Sequence, residues 1–247
     1  MTVKIITPYV YDNEIAEHKD KFWDLDIHYE KDTAGIGSDL MYQKMWNQFP
    51  EHDIFILHAD MHPFKDGWWE EMLTYVDKYP EAGMLGLLLL YPLQNNNYEH
   101  YIQCAGGKFT DGKPDHFGSG LIVENKSQFK KDLELDDGRY TTVREVAWTT
   151  FGGCYLRRSF LNTVGDFSPE YEWTYNRDVD YCLKAREARG EHIYQIPVRL
   201  LHHESRDNKR IKDQSKADME MRNLQTLLAK WANSKFYKTL DKEIKSG

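Results

Sequence analysis

Hydrophobic positions fall into short blocks whose spacing names the element each would form. Residues 3–7 are a β-branched run stopped by Pro8, the pattern of a strand entering a loop. Residues 13–22 read as a helix, and residues 25–30 alternate as a second strand. A glycine-bearing turn over 31–38 leads to a helix over 39–49, with Ser38 as its expected N-cap. Residues 53–57, Asp-Ile-Phe-Ile-Leu, form a compact buried strand. Trp68, Trp69, Met72, Leu73 and Val76 then share one helical face, read as core packing, and residues 83–91 make the next strand.

Alternation of strand and helix predicts a parallel sheet with helices on its faces, and such sheets gather ligands at the carboxyl ends of their strands. Asp32, the turn at Gly35 and Gly37, and His58-Ala59-Asp60 fall at such ends. Residues 94–139 are polar and glycine-rich, with Gly106, Gly107, Gly112, Gly118 and Gly120 among loops and short antiparallel strands. Regular structure returns at 143–148, at 153–157 and, as a strand, at 191–196. A final helix over 216–231 carries the stripe Met219, Leu224, Leu227, Leu228 and Trp231. No internal repeat interrupts this order.

The chain's 247 residues suit one large α/β core. Its 14% aromatic content fits a thick core first and stacking surfaces for sugars or bases second. The longest apolar run, 84–91, is far short of the roughly 20 residues a membrane span needs. The first residues enter a strand without a signal-peptide pattern. Three cysteines with neither CxxC spacing nor an even count predict reduced thiols and a cytoplasmic location. A net charge of −8 argues against a broad nucleic-acid-binding face.

The first chemical signal is a carboxylate at the exit of a buried strand. Asp60 follows 53–57 closely enough to be held rigidly, where it could bind a divalent cation through oxygen. His58 beside it would add nitrogen and shift preference from Mg2+ toward Mn2+. The alternative is a turn-forming Asp with no ligand.

The second signal is a series of motifs in order: Trp148 to Arg158 with Gly152-Gly153, then Val164-Gly165-Asp166-Phe167, then Asn176-Arg177-Asp178-Val179-Asp180, then Ile196-Pro197 to His202-His203. With Ile102-Gln103-Cys104-Ala105-Gly106-Gly107 and the pairs Arg222-Asn223 and Lys230-Trp231, this series closely resembles glycosyltransferase family 2, including its rhamnosyltransferase-like members. The resemblance implies the GT-A fold: a Rossmann-like, mostly parallel central sheet flanked by helices, with a C-terminal helix, as one domain over 1–247. It implies a nucleotide-sugar-binding half (1–93), an acceptor and catalytic half (94–205) and a helical tail (206–247).

The same resemblance implies roles for single residues. Asp60 becomes the metal and diphosphate residue of an Asp-x-Asp motif whose first Asp is His58 here. Asp178 becomes the base that deprotonates the acceptor hydroxyl, with Arg177 where the family has Glu. His202 completes the metal shell, in a register that His203 leaves open by one residue. Asp32, Pro8 and Tyr9 pack the nucleotide, and Gly153 adds to the donor site. Asp180 reads first as a helix-start residue, because residues two apart on a helix do not share a face. His62 and His116 have no expected role, and the basic run Arg206, Lys209, Arg210 and Lys212 reads as a solvated loop that could close over a diphosphate.

The expected activity is therefore transfer of a sugar from a nucleoside-diphosphate sugar, with inversion and with Mn2+ or Mg2+. The acceptor is a glycan, a protein or a modified nucleobase. A nucleotidyltransferase would carry a Gly-rich basic loop after its first strand, and Pro8-Tyr9-Val10-Tyr11 is not one. A sugar-binding module without turnover is the non-enzymatic alternative, kept open by His58 and Arg177.

Overall fold

The computed structural model describes residues 2–94, 100–118, 134–173, 175–203, 214–235, 237 and 241–243. Gly120 and the basic run 206–212 lie outside the described residues. The first part of the chain runs β1 (Val3–Tyr9), α1 (Asp12–Lys21), β2 (Ile27–Lys31), α2 (Ser38–Trp46), β3 (Asp53–Ile56), β4 (Met61–Pro63), α3 (Trp68–Lys78) and β5 (Ala82–Gln94). Short strands β6 (His100–Cys104), β7 (Gly107–Thr110), β8 (Lys113–His116), β9 (Arg144–Val146) and β10 (Cys154–Leu156) follow. The rest is α4 (Arg158–Val164), α5 (Arg177–Arg189), β11 (His192–His202), α6 (Gln214–Trp231) and β12 (Asp241–Glu243).

One mixed sheet takes the order β12-β9-β11-β5-β10-β3-β1-β2. Its long strands run parallel, β2-β1-β3 on one side and β5-β11 on the other, and β10 lies antiparallel between β3 and β5. That reversal has a consequence for the site. The start of β10, with Gly152 and Gly153 just before it, abuts the carboxyl end of β3, Cys154 opposite Ile56, where parallel sheets place their ligands.

Core packing covers both faces. Met41, Met45, Trp46, Phe160, Tyr181 and Leu227 pack on one face, and Phe22, Trp68, Met72 and Val76 on the other. Trp68 and Trp69 lie against Phe55, with ring centroids 5.7 and 5.3 Å away, so this pair belongs to the core. Arg157 and Arg158, which end the Gly-rich strand, turn back beneath the sheet. Arg157 donates to the carbonyls of Ala82 and Tyr79, and Arg158 to those of Trp46, Phe49 and His52, all at 2.8–3.1 Å. Guanidinium groups so placed put positive charge on carbonyls at and just beyond the C-terminal ends of α2 and α3, where the helix dipole favours it.

Several local expectations change. Helix α2 begins at Ser38 itself, with Gly37 in the cap position at φ 88°. Asp32 holds the turn before it: its carboxylate accepts from the backbone N–H of Ile36 at 3.0 Å and of Gly37 at 2.9 Å, and the Gly37 carbonyl accepts the first helical bond from Met41 N–H at 3.0 Å. Asn176 stands before α5 in the left-handed region (φ 64°) and makes no side-chain capping bond. Strand β11 passes Pro197 and reaches His202, six residues beyond its expected end. A register shift between Ile196 and Arg199 absorbs the missing N–H of proline.

Candidate functional site

The site starts from a strand pairing. β4 pairs antiparallel with the end of β11, Met61 opposite His202, and His203 N–H donates to the carbonyl of Asp60 at 3.0 Å. Two segments more than 140 residues apart are thereby fixed side by side. His58, Asp60 and His202 then bring one ligand atom each within 4.8 Å of one another, an arrangement able to hold a metal ion. His202 Nε2 is 3.2 Å from Asp60 Oδ1 and 3.4 Å from His58 Nδ1, and His58 Nδ1 is 4.0 Å from the same carboxylate.

The far side of each imidazole is also held. His202 Nδ1 lies 2.6 Å from Oε1 of Gln103, and His58 Nε2 is hydrogen-bonded to the hydroxyl of Tyr42. Tyr42 is buried, stacked between His58 and Phe151 at 5.8 and 6.1 Å. Burial lowers the pKa of His58 to about 4, so this ring is neutral at physiological pH. Asp60, set against both rings, is held well below the usual carboxylate range despite its burial, so its oxygens are ionised. Two imidazole nitrogens and one carboxylate oxygen form a donor set suited to a borderline divalent ion and poor for Mg2+, which prefers oxygen.

A cavity of about 280 Å³ opens beside this trio. Ser38, Asp39, Tyr42 and His58 line it, together with Tyr175, Asn176 and Asp178 around the start of α5 and with His116 and Trp148. Asp178 is half-buried, and burial raises its carboxyl pKa to about 6, against the lowering effect of backbone N–H groups such as that of Val179 at 2.8 Å. A carboxylate with that pKa in a cleft has the properties of a general base working near neutrality.

The fold brings His58, Asp60 and His202 together, with His58 and Asp178 sharing the cavity. Gly152 lines the cavity; Gly153 does not, and instead holds φ 65° at the strand entry while its carbonyl accepts from Leu87 N–H at 3.0 Å. Pro8 and Tyr9 end β1 opposite Glu30 and Lys31, half-buried and outside the cavity lining, as is Asp32. Asp180 turns away from the cavity into the core. Arg177 is also buried, donating to the Tyr171 carbonyl, with Nε and Nη1 unpartnered among the described residues.

Sequence reasoning gave no role to Tyr42, Asp39, His116 or Trp148. The helical period puts Tyr42 on a buried face without saying that its hydroxyl meets a histidine. Gln103 stood inside a recognised motif, yet nothing in its spacing points to His202. His62 and His203 form a neighbouring pair, Nδ1 of one 3.1 Å from Nε2 of the other. All three cysteines are buried and unpaired with one another, with burial pushing Cys104 up to about 12, and no described helix is long and apolar enough to cross a membrane.

No protein-family model and no curated protein matches the chain. Solved structures do match. GalNAc-T7, in a structure with UDP, GalNAc and Mn2+, aligns with a TM-score of 0.53 at 10% identity over 82% of this chain and 44% of its own. The mannosyltransferase PcManGT from Pyrobaculum calidifontis, in complex with GDP-Man and Mn2+, aligns with a TM-score of 0.54 at 11% identity over 92% of this chain and 64% of its own. The chain thus spans about half to two-thirds of the length of these two proteins, and it shares their GT-A fold.

Proposed function

We propose that the chain is a metal-dependent glycosyltransferase of the family 2 type, moving a sugar from a nucleoside-diphosphate sugar to an acceptor hydroxyl with inversion. The observation that carries this reading is that one cavity is lined both by His58 of the His-Asp-His trio and by Asp178. The motif series in the sequence and the fold shared with two sugar-transferring enzymes support it. In this division residues 1–93 hold the donor, with Pro8, Tyr9 and Asp32 toward the nucleotide, and residues 94–205 supply the acceptor side.

His58, Asp60 and His202 would hold the ion, with Mn2+ favoured over Mg2+ by the two imidazoles. When bound, the ion neutralises charge on the departing diphosphate. Asp178 takes the proton of the acceptor hydroxyl as that oxygen attacks the anomeric carbon. The bond from this carbon to the diphosphate breaks, and its electron pair leaves with the diphosphate. One carboxylate suffices because the acceptor hydroxyl becomes acidic as its bond forms, and the leaving group needs no proton.

A panel of nucleotide sugars tested by thermal shift with and without Mn2+ identifies the donor, since a tight ligand raises the melting temperature by mass action. Release of nucleoside diphosphate from the selected donor is then measured with and without the ion. A chain that binds a donor yet never releases diphosphate, with any acceptor class, would be the binding module.

A further inference from the structure

We infer that Gln103 and Tyr42 are positioning residues that select the tautomers of His202 and His58, turning one nitrogen of each ring onto the point shared with Asp60. This inference rests on the metal-site reading above and assigns a purpose to the Ile102–Gly107 motif that the reaction itself leaves unused.

The chemistry follows from what each partner can do. A carbonyl oxygen only accepts, so Gln103 Oε1 at 2.6 Å requires the hydrogen of His202 to sit on Nδ1. Nε2 then carries a lone pair, and this is the atom that faces Asp60 at 3.2 Å and His58 at 3.4 Å. Gln103 is only 7% exposed, so water does not replace it as the acceptor. On the other ring Nδ1 of His58 is the atom turned toward Asp60 and His202; with Nδ1 as the ligand atom the hydrogen sits on Nε2, and the Tyr42 hydroxyl, able to accept as well as donate, accepts it. Stacking between His58 and Phe151 fixes the Tyr42 ring, so the hydroxyl does not swing away. An imidazole whose outer N–H is held by an oxygen is both oriented and more basic at its inner nitrogen, and loss of such a partner lowers metal affinity by about 10- to 100-fold.

Two measurements on the full-length chain test this. In metal-free protein labelled with 15N-histidine, His202 is expected in the Nδ1–H tautomer, and Gln103→Leu is expected to give a mixture. A wild-type His202 protonated on Nε2 overturns the inference. Mn2+ alone is then titrated, following the loss of free-ion signal by electron paramagnetic resonance. Gln103→Leu is expected to weaken Mn2+ about 10- to 100-fold and Tyr42→Phe about tenfold. Gln103→Glu, which keeps an acceptor and adds charge, is expected to bind at least as tightly as wild type. A structural role alone would not distinguish Leu from Glu in this way. If His202→Ala abolishes binding while Gln103→Leu leaves it unchanged, or if Leu and Glu lose affinity equally, the positioning role fails and the metal site stands. If the wild-type chain binds no Mn2+, the metal-site reading fails, and this inference with it.

Discussion

Trp231 of α6 donates its indole N–H to Oδ1 of Asp180 on α5 at 2.8 Å, and this bond is one of four that converge on the same buried carboxylate. Tyr171 donates to Oδ1 at 2.9 Å, Ser168 to Oδ2 at 2.6 Å, and Lys230 Nζ is 2.9 Å from Oδ1. Asp180 is 1% exposed, so the C-terminal helix is docked through a group that water does not reach. Asp180→Asn places an amide N–H₂ among donors and leaves Lys230 only the more distant Glu170, at 3.7 Å, as a charge partner among the described residues. We expect a loss of about 2–4 kcal/mol in urea unfolding, with turnover retained by the fraction that stays folded. A change under about 0.5 kcal/mol, the size usual for surface substitutions, would remove Asp180 from this role.

Asp178, two residues earlier on α5, behaves in the opposite way. Asp178→Asn is expected to lower turnover by about two to four orders of magnitude while donor affinity stays near wild type. Its folded pKa, about 6, exceeds the usual 3.8, so the protonated form is favoured by folding. That stabilisation is complete below about pH 4 and lost as pH rises through about 6. At pH 7.5 the variant should therefore be more stable than wild type, on the order of 1–2 kcal/mol after allowing for partial exposure. The difference should vanish near pH 4. A variant less stable at pH 7.5 would return Asp178 to the part of a helix-start residue.

The same group sets a pH limit on activity. Turnover requires the ionised carboxylate, so the rate should fall on the acid side with a midpoint near 6. A pH–rate profile at saturating donor and Mn2+ checks this, and a flat profile from pH 5 to 8 would contradict it.

Asp60 and His202 differ in what their loss leaves behind. Asp60→Asn removes the only carboxylate of the trio and should abolish metal-dependent donor binding, read by calorimetry, without changing the melting temperature of the metal-free protein by more than a few degrees. His202→Ala keeps the carboxylate and His58 and should weaken the ion less. Equal losses would mean that the two residues do not share one ion as proposed.

Gly152 supplies a steric test. A Cβ built there would lie 2.9 Å from Cε1 of His58 and 2.9 Å from the methyl of Met61. Met61 has a flexible end, but His58 is held by Tyr42 and cannot give way freely. Gly152→Ala should displace the ring and lower Mn2+ affinity several-fold, with the sheet preserved. Unchanged affinity would show that the ring has room that the packing denies.

Much of the fold was legible in the chain because burial and period agree. The strands at 53–57 and 83–91 are continuous apolar runs since both faces of the sheet are covered, and α3 shows a clean apolar stripe since one face is solvated. Asp32 and His58 stood out at strand ends for the same reason. Caps were less legible: Asp32 takes the N–H groups of Ile36 and Gly37, the turn before α2, and the helix then starts one residue earlier than expected, with Gly37 and not Ser38 at the cap.

The sequence by itself determined the α/β alternation, the carboxylate after a buried strand and the order of motifs, because each depends on neighbours within one element. Only the tertiary structure decided which atoms meet. The reversed strand β10 carries Gly152 against His58, the β4–β11 pairing sets His202 beside Asp60, and β6 brings Gln103 behind them. Asp178 and Asp180 look alike in sequence; a rotation of about 200° around the helix puts one in the cavity and the other in the core. Local propensity has no term for such contacts, since they arise from the register between strands far apart in the chain.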